Sequence, residues 1–306
     1  MSESESSGSD EPPAVVLPGS TTPFEKISCL GEGAFGAVWL ARCRTSGIYV
    51  ALKEVSRQVA DPLLLEPERD ILREISEARE KSKGQAGQGP VSPVSPALAG
   101  LVSTFVTPFA VCMAMDLVEG THLQDHLQNL RVPMKEERVQ WYIAELSSAL
   151  DWLHQAGWLY RDLKLTNVML SLSEGSYGRV KLIDFGFALH GLWSDKAVGT
   201  LETMAPEVIA CGNSQWPTDL GLEWSKGYGP AADWWSLGVL LFELLTGDAP
   251  FGRHDDILLE GLKVLTAQLN GLQWPPGISD EAKVAASQLC DLKPDHRPAS
   301  IKALKA

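Results

Sequence analysis

The sequence predicts an α+β fold, with a small β-rich lobe over residues 23–118 and a larger helical lobe over residues 119–306. In the first part, short apolar runs alternate with glycine-containing turns, which is the pattern of antiparallel hairpins. In the second part, apolar residues recur at helical spacing over 135–153. A further segment over 231–246 is apolar nearly all round, which is typical of a helix at the centre of a lobe.

The composition is that of a globular protein and argues against several kinds of partner. The 306 residues are 44% hydrophobic and carry a net charge of −13, which disfavours nucleic acid and favours basic protein segments. The five cysteines include no C-x-x-C pair, so neither a disulfide framework nor a zinc site is indicated. We expect a reducing, cytoplasmic location, with access to the nucleus left open. No apolar run reaches the roughly 20 residues that a membrane span needs.

The elements of the small lobe follow from local patterns. Residues 1–22 are acidic and rich in Ser and Pro, so we expect disorder and no signal peptide there. Pro67 is expected to begin a helix that ends near residue 80. A loop rich in Gly and Pro follows, and its Ser92-Pro93 and Ser95-Pro96 pairs are expected to be accessible to proline-directed kinases. Strands are predicted beside the first glycine cluster and over 48–54, 98–106 and 110–118.

A glycine motif precedes the second strand and reads Gly31-Glu32-Gly33-Ala34-Phe35-Gly36-Ala37-Val38. Glycines allow the backbone to approach phosphates, so that its amides can donate to their oxygens. A dinucleotide-binding turn uses the same spacing, but there a helix follows. Here an apolar strand follows, and this favours a loop that covers the phosphates of a nucleotide such as ATP.

A lysine on the next strand complements this loop. Lys53 ends the run Val50-Ala51-Leu52-Lys53 and can pair with nucleotide phosphates, while Ala51 and Val38 would pack on the adenine. The alternative is a solvated surface lysine. Glu68 lies on the apolar face of the predicted helix, and because a buried charge needs a partner, we expect it to pair with Lys53. Three other glutamates are expected to be exposed, namely Glu66, Glu74 and Glu77.

Two polar segments of the second lobe carry the strongest signal for chemistry. The first reads Tyr160-Arg161-Asp162-Leu163-Lys164-Leu165-Thr166-Asn167, and the second is Asp184-Phe185-Gly186. In phosphoryl transfer, Asp162 would accept the proton of the substrate hydroxyl and Lys164 would contact the γ-phosphate. Asn167 and Asp184 would bind Mg²⁺. Further along, Glu207 of Ala205-Pro206-Glu207 is expected to pair with Arg297.

These motifs, in this order, resemble the signature set of the protein kinases over about residues 24–306. Tyr160 of the catalytic loop and the run Asp233-Trp234-Trp235 resemble the AGC group, which includes the cyclic-AMP-dependent and ribosomal S6 kinases. The resemblance implies a two-lobed kinase fold, ATP and Mg²⁺ as cofactors, protein substrates and serine/threonine specificity.

The resemblance also implies roles for further residues. Asp233 would brace the catalytic loop, and Met115 would be the gatekeeper before a hinge at Asp116–Val118 that contacts adenine. Met169 would add to the nucleotide site. A hydrophobic spine would comprise Leu101, Leu72, Phe185 and Tyr160.

Several positions depart from the AGC pattern. Thr166 and His122 replace acidic residues that read substrate or ribose, and Glu243 alone matches the third acidic position. Lys196 stands where the group commonly carries a phosphorylated threonine. Because Thr166 and His122 lack the acidic group, strict selection of arginine-containing substrates is in question. Extra residues at 211–226 border the expected peptide site.

Regulation is expected to differ accordingly. Arg161 needs a counter-charge, and we expect Asp195 to supply it, with phosphorylated Ser194 as the alternative. The group's C-terminal tail is missing from this sequence, so a regulatory partner on the small lobe is expected. The rival interpretations are a pseudokinase that acts as a scaffold or allosteric binder, and a small-molecule kinase.

Overall fold

The computed structural model describes residues 23–33, 36–58, 62–84, 94–130, 133–171, 177–213, 215–220, 226–253 and 257–304. The segment 1–22 and the Ser92-Pro93 pair lie outside these described residues. The chain divides into two compact units. The first consists of the described part of Met1–Pro62 together with Gly100–Leu117, and the second of Leu63–Ala99 and Val118–Ala306.

The first unit is a five-stranded antiparallel sheet with the order β1-β2-β3-β5-β4. Its strands are β1 (Phe24–Gly33), β2 (Gly36–Cys43), β3 (Tyr49–Ser56), β4 (Leu101–Val106) and β5 (Ala110–Asp116). Side chains alternate along β3, so that Val50 and Leu52 are buried while Ala51 and Lys53 are only partly covered. One face of the sheet therefore forms a small apolar core, which contains Phe24, Ala41, Val50, Leu52, Ala110, Cys112 and Ala114.

Gly36 fixes the first hairpin of this sheet. It pairs with Gly33 in the register of β1 and β2 and has a φ of 149°. A Cβ atom at this position would lie 2.0 Å from the carbonyl oxygen of Glu54. Only glycine allows β2 to begin so close to β3, and this explains the third glycine of the motif.

The second unit is mainly helical, as the sequence predicts. Its helices are α1 (Pro62–Gly84), α2 (Leu123–Asn129), α3 (Glu136–Gln155), α4 (Pro206–Gly212), α5 (Trp216–Asp219), α6 (Ala231–Thr246), α7 (Ile257–Leu269), α8 (Asp280–Leu289) and α9 (Ile301–Leu304). Short strands accompany them, namely β6 (Thr121–His122), β7 (Trp158–Leu159), β8 (Val168–Ser171), β9 (Arg179–Leu182) and β10 (Leu189–His190). The pairings are β6-β8-β9 and β7-β10.

Helix α6 lies at the centre of this unit, and the prediction of a buried helix there is confirmed. Every residue from Ala232 to Leu245 is buried. Gly247 adopts a left-handed φ of 84° after the last turn, and its amide donates to the carbonyl of Glu243 at 2.8 Å, which is a typical glycine C-cap. Within the described part of the chain, none of the helices combines the length and the apolar character that a membrane crossing requires.

The predicted limits of α1 are wrong. The helix begins at Pro62, and Pro67 lies inside it, where proline removes a single backbone donor. The helix also continues to Gly84, and on its last turns Lys81 and Lys83 pair with Glu77 and Glu80 at 3.9 and 2.7 Å.

The expected exposure of Ser95 is also wrong. Its side chain is 3% exposed, and its Oγ accepts a hydrogen bond from the amide of Ala97 at 3.3 Å. The chain continues beside β9, where the amide of Leu182 donates to Ala97 and the amide of Ala99 donates to Leu182. Ser95 therefore precedes a buried segment rather than closing an open loop.

Candidate active site

Asp162 lies at the centre of a polar cluster between β7 and β8. Its carboxylate is almost fully buried and accepts hydrogen bonds from Thr200 Oγ1 at 2.6 Å and from Asn167 Nδ2 at 2.8 Å. Lys164 Nζ lies 2.9 Å from the same carboxylate and donates to Thr200 Oγ1 at 2.7 Å. Asp162, Lys164 and Asn167, which the sequence predicts to act together, are thus brought into mutual contact.

The backbone that presents Asp162 is held in an uncommon conformation. Arg161 has a φ of 69° and is the only non-glycine residue with a positive φ in the described ranges. Asp233 of α6 accepts hydrogen bonds from the amides of Tyr160 and Arg161 at 2.9 and 2.8 Å, and from His154 Nε2 at 2.8 Å. These are the contacts expected of a residue that braces the catalytic loop, and they stabilise the strained conformation.

Thr200 is a site residue that sequence reasoning missed. Its hydroxyl donates to Asp162 and accepts from Lys164. It therefore links the activation segment, which runs from Asp184 to Glu207, to the catalytic loop. Gly199 allows this approach, because a Cβ atom there would lie 2.3 Å from the carbonyl oxygen of Arg161. The signal in the sequence is a threonine directly after a glycine in that segment, but spacing alone does not place it beside Asp162.

Asn167 and Asp184 lie at the same end of the β8–β9 ladder. Val168 pairs with Leu182, and the amide of Ile183 donates to the carbonyl of Asn167 at 3.2 Å. The Asn167 amide nitrogen is used in bonds to Asp162, so its oxygen remains the donor available to a cation. The Asp184 carboxylate is exposed. The side-chain oxygens of Asn167 and Asp184 fit Mg²⁺, which typically binds a few protein oxygens and completes its coordination shell with waters and phosphate oxygens. The described residues contain no preformed cluster of three metal-ligating side chains.

Tyr160 and Phe185 pack together beneath these polar groups. Their rings meet edge to face at 5.6 Å, and both side chains are buried, as is that of Leu72 on α1. Burial raises the pKa of Tyr160 well above its ordinary value, and the carboxylates of Asp184, Asp162 and Asp233 act in the same direction. Tyr160 therefore stays neutral and belongs to the apolar support of the site.

The nucleotide-binding residues predicted in the first unit share one part of the sheet. Lys53 of β3 pairs in register with Val38 of β2 and Met113 of β5, and Ala51 pairs with Met115. A Cβ atom at Gly31 or at Gly33 would meet nothing within 4 Å, so the loop backbone is open to a ligand at both positions. Glu32 is exposed, whereas Ala34 and Phe35 lie outside the described residues.

The remaining nucleotide positions lie where the sheet ends and in β8. Asp116 is the last residue of β5, and its carboxylate accepts from the amide of Gly100 at 2.9 Å, so it is oriented within the first unit. Val118 and Met169 are partly buried in the second unit. Their part in binding adenine stays a prediction.

Glu68 is 2% exposed on α1, so the expectation of a buried carboxylate is confirmed, while its pairing with Lys53 stays a prediction. Glu66 and Glu77 are exposed as expected. The expectation for Glu74 is wrong, because its carboxylate accepts a hydrogen bond from the indole of Trp158 at 2.8 Å. The helix period alone could not show this contact, since Trp158 lies 84 residues away.

The proposed counter-charge for Arg161 is also wrong. The Arg161 guanidinium donates to the carbonyl of Phe187 at 2.6 Å and to Ser194 Oγ at 3.2 Å. Ser194 is buried and forms a β-bridge with Tyr228, so the next side chain, Asp195, points the other way and is 51% exposed beside Lys196. Asp195 therefore does not pair with Arg161.

Two further sets of expectations concern the Glu207–Arg297 pair and the positions that depart from the AGC pattern. Glu207 and Arg297 form the expected buried pair, with a 2.9 Å bond from Nη2 to Oε2, and Nη1 also donates to the carbonyl of Ala231 at 3.0 Å. His122 and Thr166, which depart from the AGC pattern, are neighbours, since His122 Nδ1 lies 2.7 Å from the Thr166 carbonyl oxygen. His122 thus contacts the catalytic loop at the position where the acidic residue is replaced.

A five-stranded sheet, a helical unit and a buried aspartate with a lysine and an asparagine define a protein kinase fold with a complete catalytic loop. Residues 24–306 match the protein kinase domain family. The chain belongs to this family.

The chain is similar to several serine/threonine kinases. It is 31% identical over 278 residues to RAC-beta serine/threonine-protein kinase B of Xenopus laevis, which covers 90% of this chain and 50% of the relative. It is 33% identical over 284 residues to ribosomal protein S6 kinase alpha-6 of Homo sapiens, covering 90% and 33%. It is 35% identical over 244 residues to protein kinase C eta type of Mus musculus, covering 78% and 31%.

These relatives are AGC-group kinases, so the resemblance seen in the sequence is confirmed. The chain spans about half the length, or less, of the curated relatives it matches.

Proposed function

We propose that this protein is a serine/threonine protein kinase that transfers the γ-phosphate of ATP to a hydroxyl group of a protein. The observation that carries the proposal is the hydrogen-bonded cluster of Asp162, Asn167, Lys164 and Thr200. A buried carboxylate that accepts two hydrogen bonds and forms an ion pair with Lys164 is held in one orientation, which suits a group that positions a substrate hydroxyl.

The chemistry assigned to each group follows from its position. Asp162 orients the attacking hydroxyl and accepts its proton, and Lys164 neutralises charge on the phosphoryl group in transit. Asn167 and Asp184 would hold Mg²⁺, which when bound neutralises charge on the phosphates. The amides of the loop from Gly31 to Gly36, together with Lys53, bind the phosphates of ATP. In this proposal, an ion pair with Glu68 positions the Lys53 ammonium.

The proposal extends to location and partners. All five cysteines are unpaired, which supports a reducing compartment, and we place the protein in the cytoplasm. Its substrates are proteins. A regulatory protein that binds the first unit is part of the proposal, and the exposed apolar side chains of Val102, Val106 and Phe109 in that unit support it.

The test is phosphoryl transfer from radiolabelled MgATP to a peptide library by the purified chain. Asp162→Ala should reduce transfer by at least about a hundredfold while nucleotide binding changes little, since Asp162 acts on the hydroxyl. Asp184→Ala should also weaken Mg²⁺-dependent binding of ATP.

Three results would contradict this assignment. Transfer at the wild-type rate in Asp162→Ala would remove the catalytic role of Asp162. Binding of nucleotide without transfer by the wild-type chain would instead favour a pseudokinase that acts as a scaffold. Transfer to a small metabolite, with none to any peptide, would favour a small-molecule kinase.

A further inference from the structure

A basic cavity lies in the second unit, in a part of the chain that the proposed catalytic function does not use. Its volume is about 250 Å³, and it is lined by Arg79 of α1, Pro96, Glu145 of α3, and Arg179, Val180 and Lys181 of β9. All of these residues belong to the same compact unit. The lining contains three cations and one carboxylate, which gives it an excess of two positive charges in a chain whose net charge is −13.

The two arginines of this cavity are held in place by the surrounding structure. Arg79 donates to the carbonyl of Leu98, and Arg179 pairs with Glu145, whose other oxygen accepts from the amide of Val180 at 3.0 Å. The Lys181 ammonium makes no ion pair or hydrogen bond within the described ranges. Each guanidinium has five N–H donors, and these two are held in fixed positions. Lys181 adds a positive charge that no described carboxylate compensates.

Exposed aromatic side chains flank the cavity. The Arg179 guanidinium lies 5.9 Å from the ring of Trp141, which is 43% exposed. Tyr177 is 38% exposed, and Arg138 lies over its ring at 5.7 Å. Surface aromatic groups beside fixed arginines are typical of surfaces that bind a peptide around a charged side chain.

The size and charge of the cavity restrict what can occupy it. It is smaller than the roughly 300–1,000 Å³ of pockets that bind whole small molecules, so it suits one side chain rather than a nucleotide. A phosphoserine carries about −1.5 to −2 charges at neutral pH, which matches the excess positive charge of the lining better than a single carboxylate does. Phosphate also matches the planar donor arrangement of arginine.

We infer that this cavity binds the phosphorylated side chain of a serine or threonine in an extended peptide segment. One source is this chain itself. Ser92 precedes Pro93 and lies four positions before Pro96 in the cavity wall, a separation that the chain can span over at most about 14 Å. The other source is a phosphorylated segment of a partner protein.

The experiment measures fluorescence anisotropy of a labelled peptide with the sequence of residues 86–97, phosphorylated at Ser92, on the full chain. The unphosphorylated peptide is the ligand control. We expect the phosphopeptide alone to bind, and Lys181→Ala to weaken binding by roughly tenfold or more. Lys181→Arg should retain binding, and Lys302→Ala, at an exposed lysine of α9 outside the cavity lining, should not change it. Added salt should weaken the binding.

A second arm identifies the source. Protein phosphorylated at Ser92 by a proline-directed kinase, with Ser92→Ala as control, is titrated with the same phosphopeptide. Exclusion of the peptide shows that the chain's own phosphoserine occupies the cavity, and undiminished binding shows that the site accepts a partner. The inference would be overturned by equal binding of the phosphorylated and unphosphorylated peptides, or by no binding at millimolar peptide. It would also be overturned if Lys181→Ala, with a wild-type melting temperature, bound the phosphopeptide as tightly as wild type does.

Discussion

The two described partners of the Arg161 guanidinium are uncharged, the carbonyl of Phe187 and the hydroxyl of Ser194. Among the described residues, no carboxylate pairs with this guanidinium. Ser194 also accepts from the amide of Lys196 at 3.2 Å, and Tyr228 donates its hydroxyl to the Lys196 carbonyl at 2.7 Å. Neutral hydrogen bonds thus connect the activation segment to the residue before Asp162.

We therefore expect Ser194→Ala to reduce kinase activity of the unphosphorylated chain about fivefold, because one net hydrogen bond contributes about 1 kcal/mol. Asp195→Lys should leave activity near that of the wild type, since Asp195 is exposed and makes none of the contacts of Arg161. Initial rates of phosphoryl transfer to a peptide substrate, measured for both variants and wild type, test these expectations. The reverse order of effects would restore Asp195 as the counter-charge.

Glu243 of α6 is a buried carboxyl whose ionisation should affect stability. Burial raises its pKa from 4.5 to about 7, Arg253 acts against this rise, and Glu202 adds to it. Because the pKa is higher in the folded state, the folded chain binds the extra proton. This stabilisation is complete below about pH 4.5 and is lost as the pH rises through about 7.

Replacing Glu243 by Gln removes this dependence. The free energy of unfolding of Glu243→Gln, compared with that of wild type, should rise by about 2–3 kcal/mol between about pH 5 and pH 8. Urea denaturation at the two pH values measures the change, and Glu281→Gln, at an exposed position of α8, serves as the control. A stability difference between Glu243→Gln and wild type that does not vary with pH would show that Glu243 is already ionised in the folded chain.

At the scale of elements, the hairpin of β1 and β2 depends on Gly36 more than on the other glycines of the motif. Gly36→Ala should destabilise the protein by about 2–3 kcal/mol, because its Cβ would meet the Glu54 carbonyl and its φ is 149°. Gly31→Ala should cost less than about 1 kcal/mol, since nothing lies within 4 Å of its Cβ. Chemical denaturation compares the two, and equal losses would show that the hairpin relaxes to admit the added methyl group.

At the scale of the whole molecule, the Glu207–Arg297 pair connects residues 90 positions apart. The Arg297 guanidinium also lies 5.0 Å from the ring of Trp235, so it joins α4, α6 and the C-terminal segment. Arg297→Ala leaves Glu207 buried without its partner and should cost about 3–5 kcal/mol. Arg253→Ala, which removes a 3.9 Å pair between the exposed Arg253 and the partly buried Glu202, should cost less than about 1 kcal/mol. A loss below about 1 kcal/mol for Arg297→Ala in urea denaturation would contradict this view.

Much of the candidate site could be predicted from the sequence, because its residues occur in short motifs. Asp162, Lys164 and Asn167 lie within six positions, and the turn that brings them together is local. Helix limits were less predictable. Pro67 is typical of the first turn of a helix, yet α1 already begins at Pro62 and accommodates Pro67 inside it. Local propensity therefore did not fix the start of the helix.

The sequence by itself determined the hairpins of the small lobe, the main helices and the types of residue available for catalysis, because periodicity and motif spacing act over a few residues. Only the tertiary structure decided which groups meet across the chain. It placed Thr200 on Asp162, Trp158 on Glu74 and Ser194 on Arg161. Each of these contacts joins segments separated by 33 or more positions, and such pairs form only when the packing of whole elements brings buried polar groups within hydrogen-bonding distance.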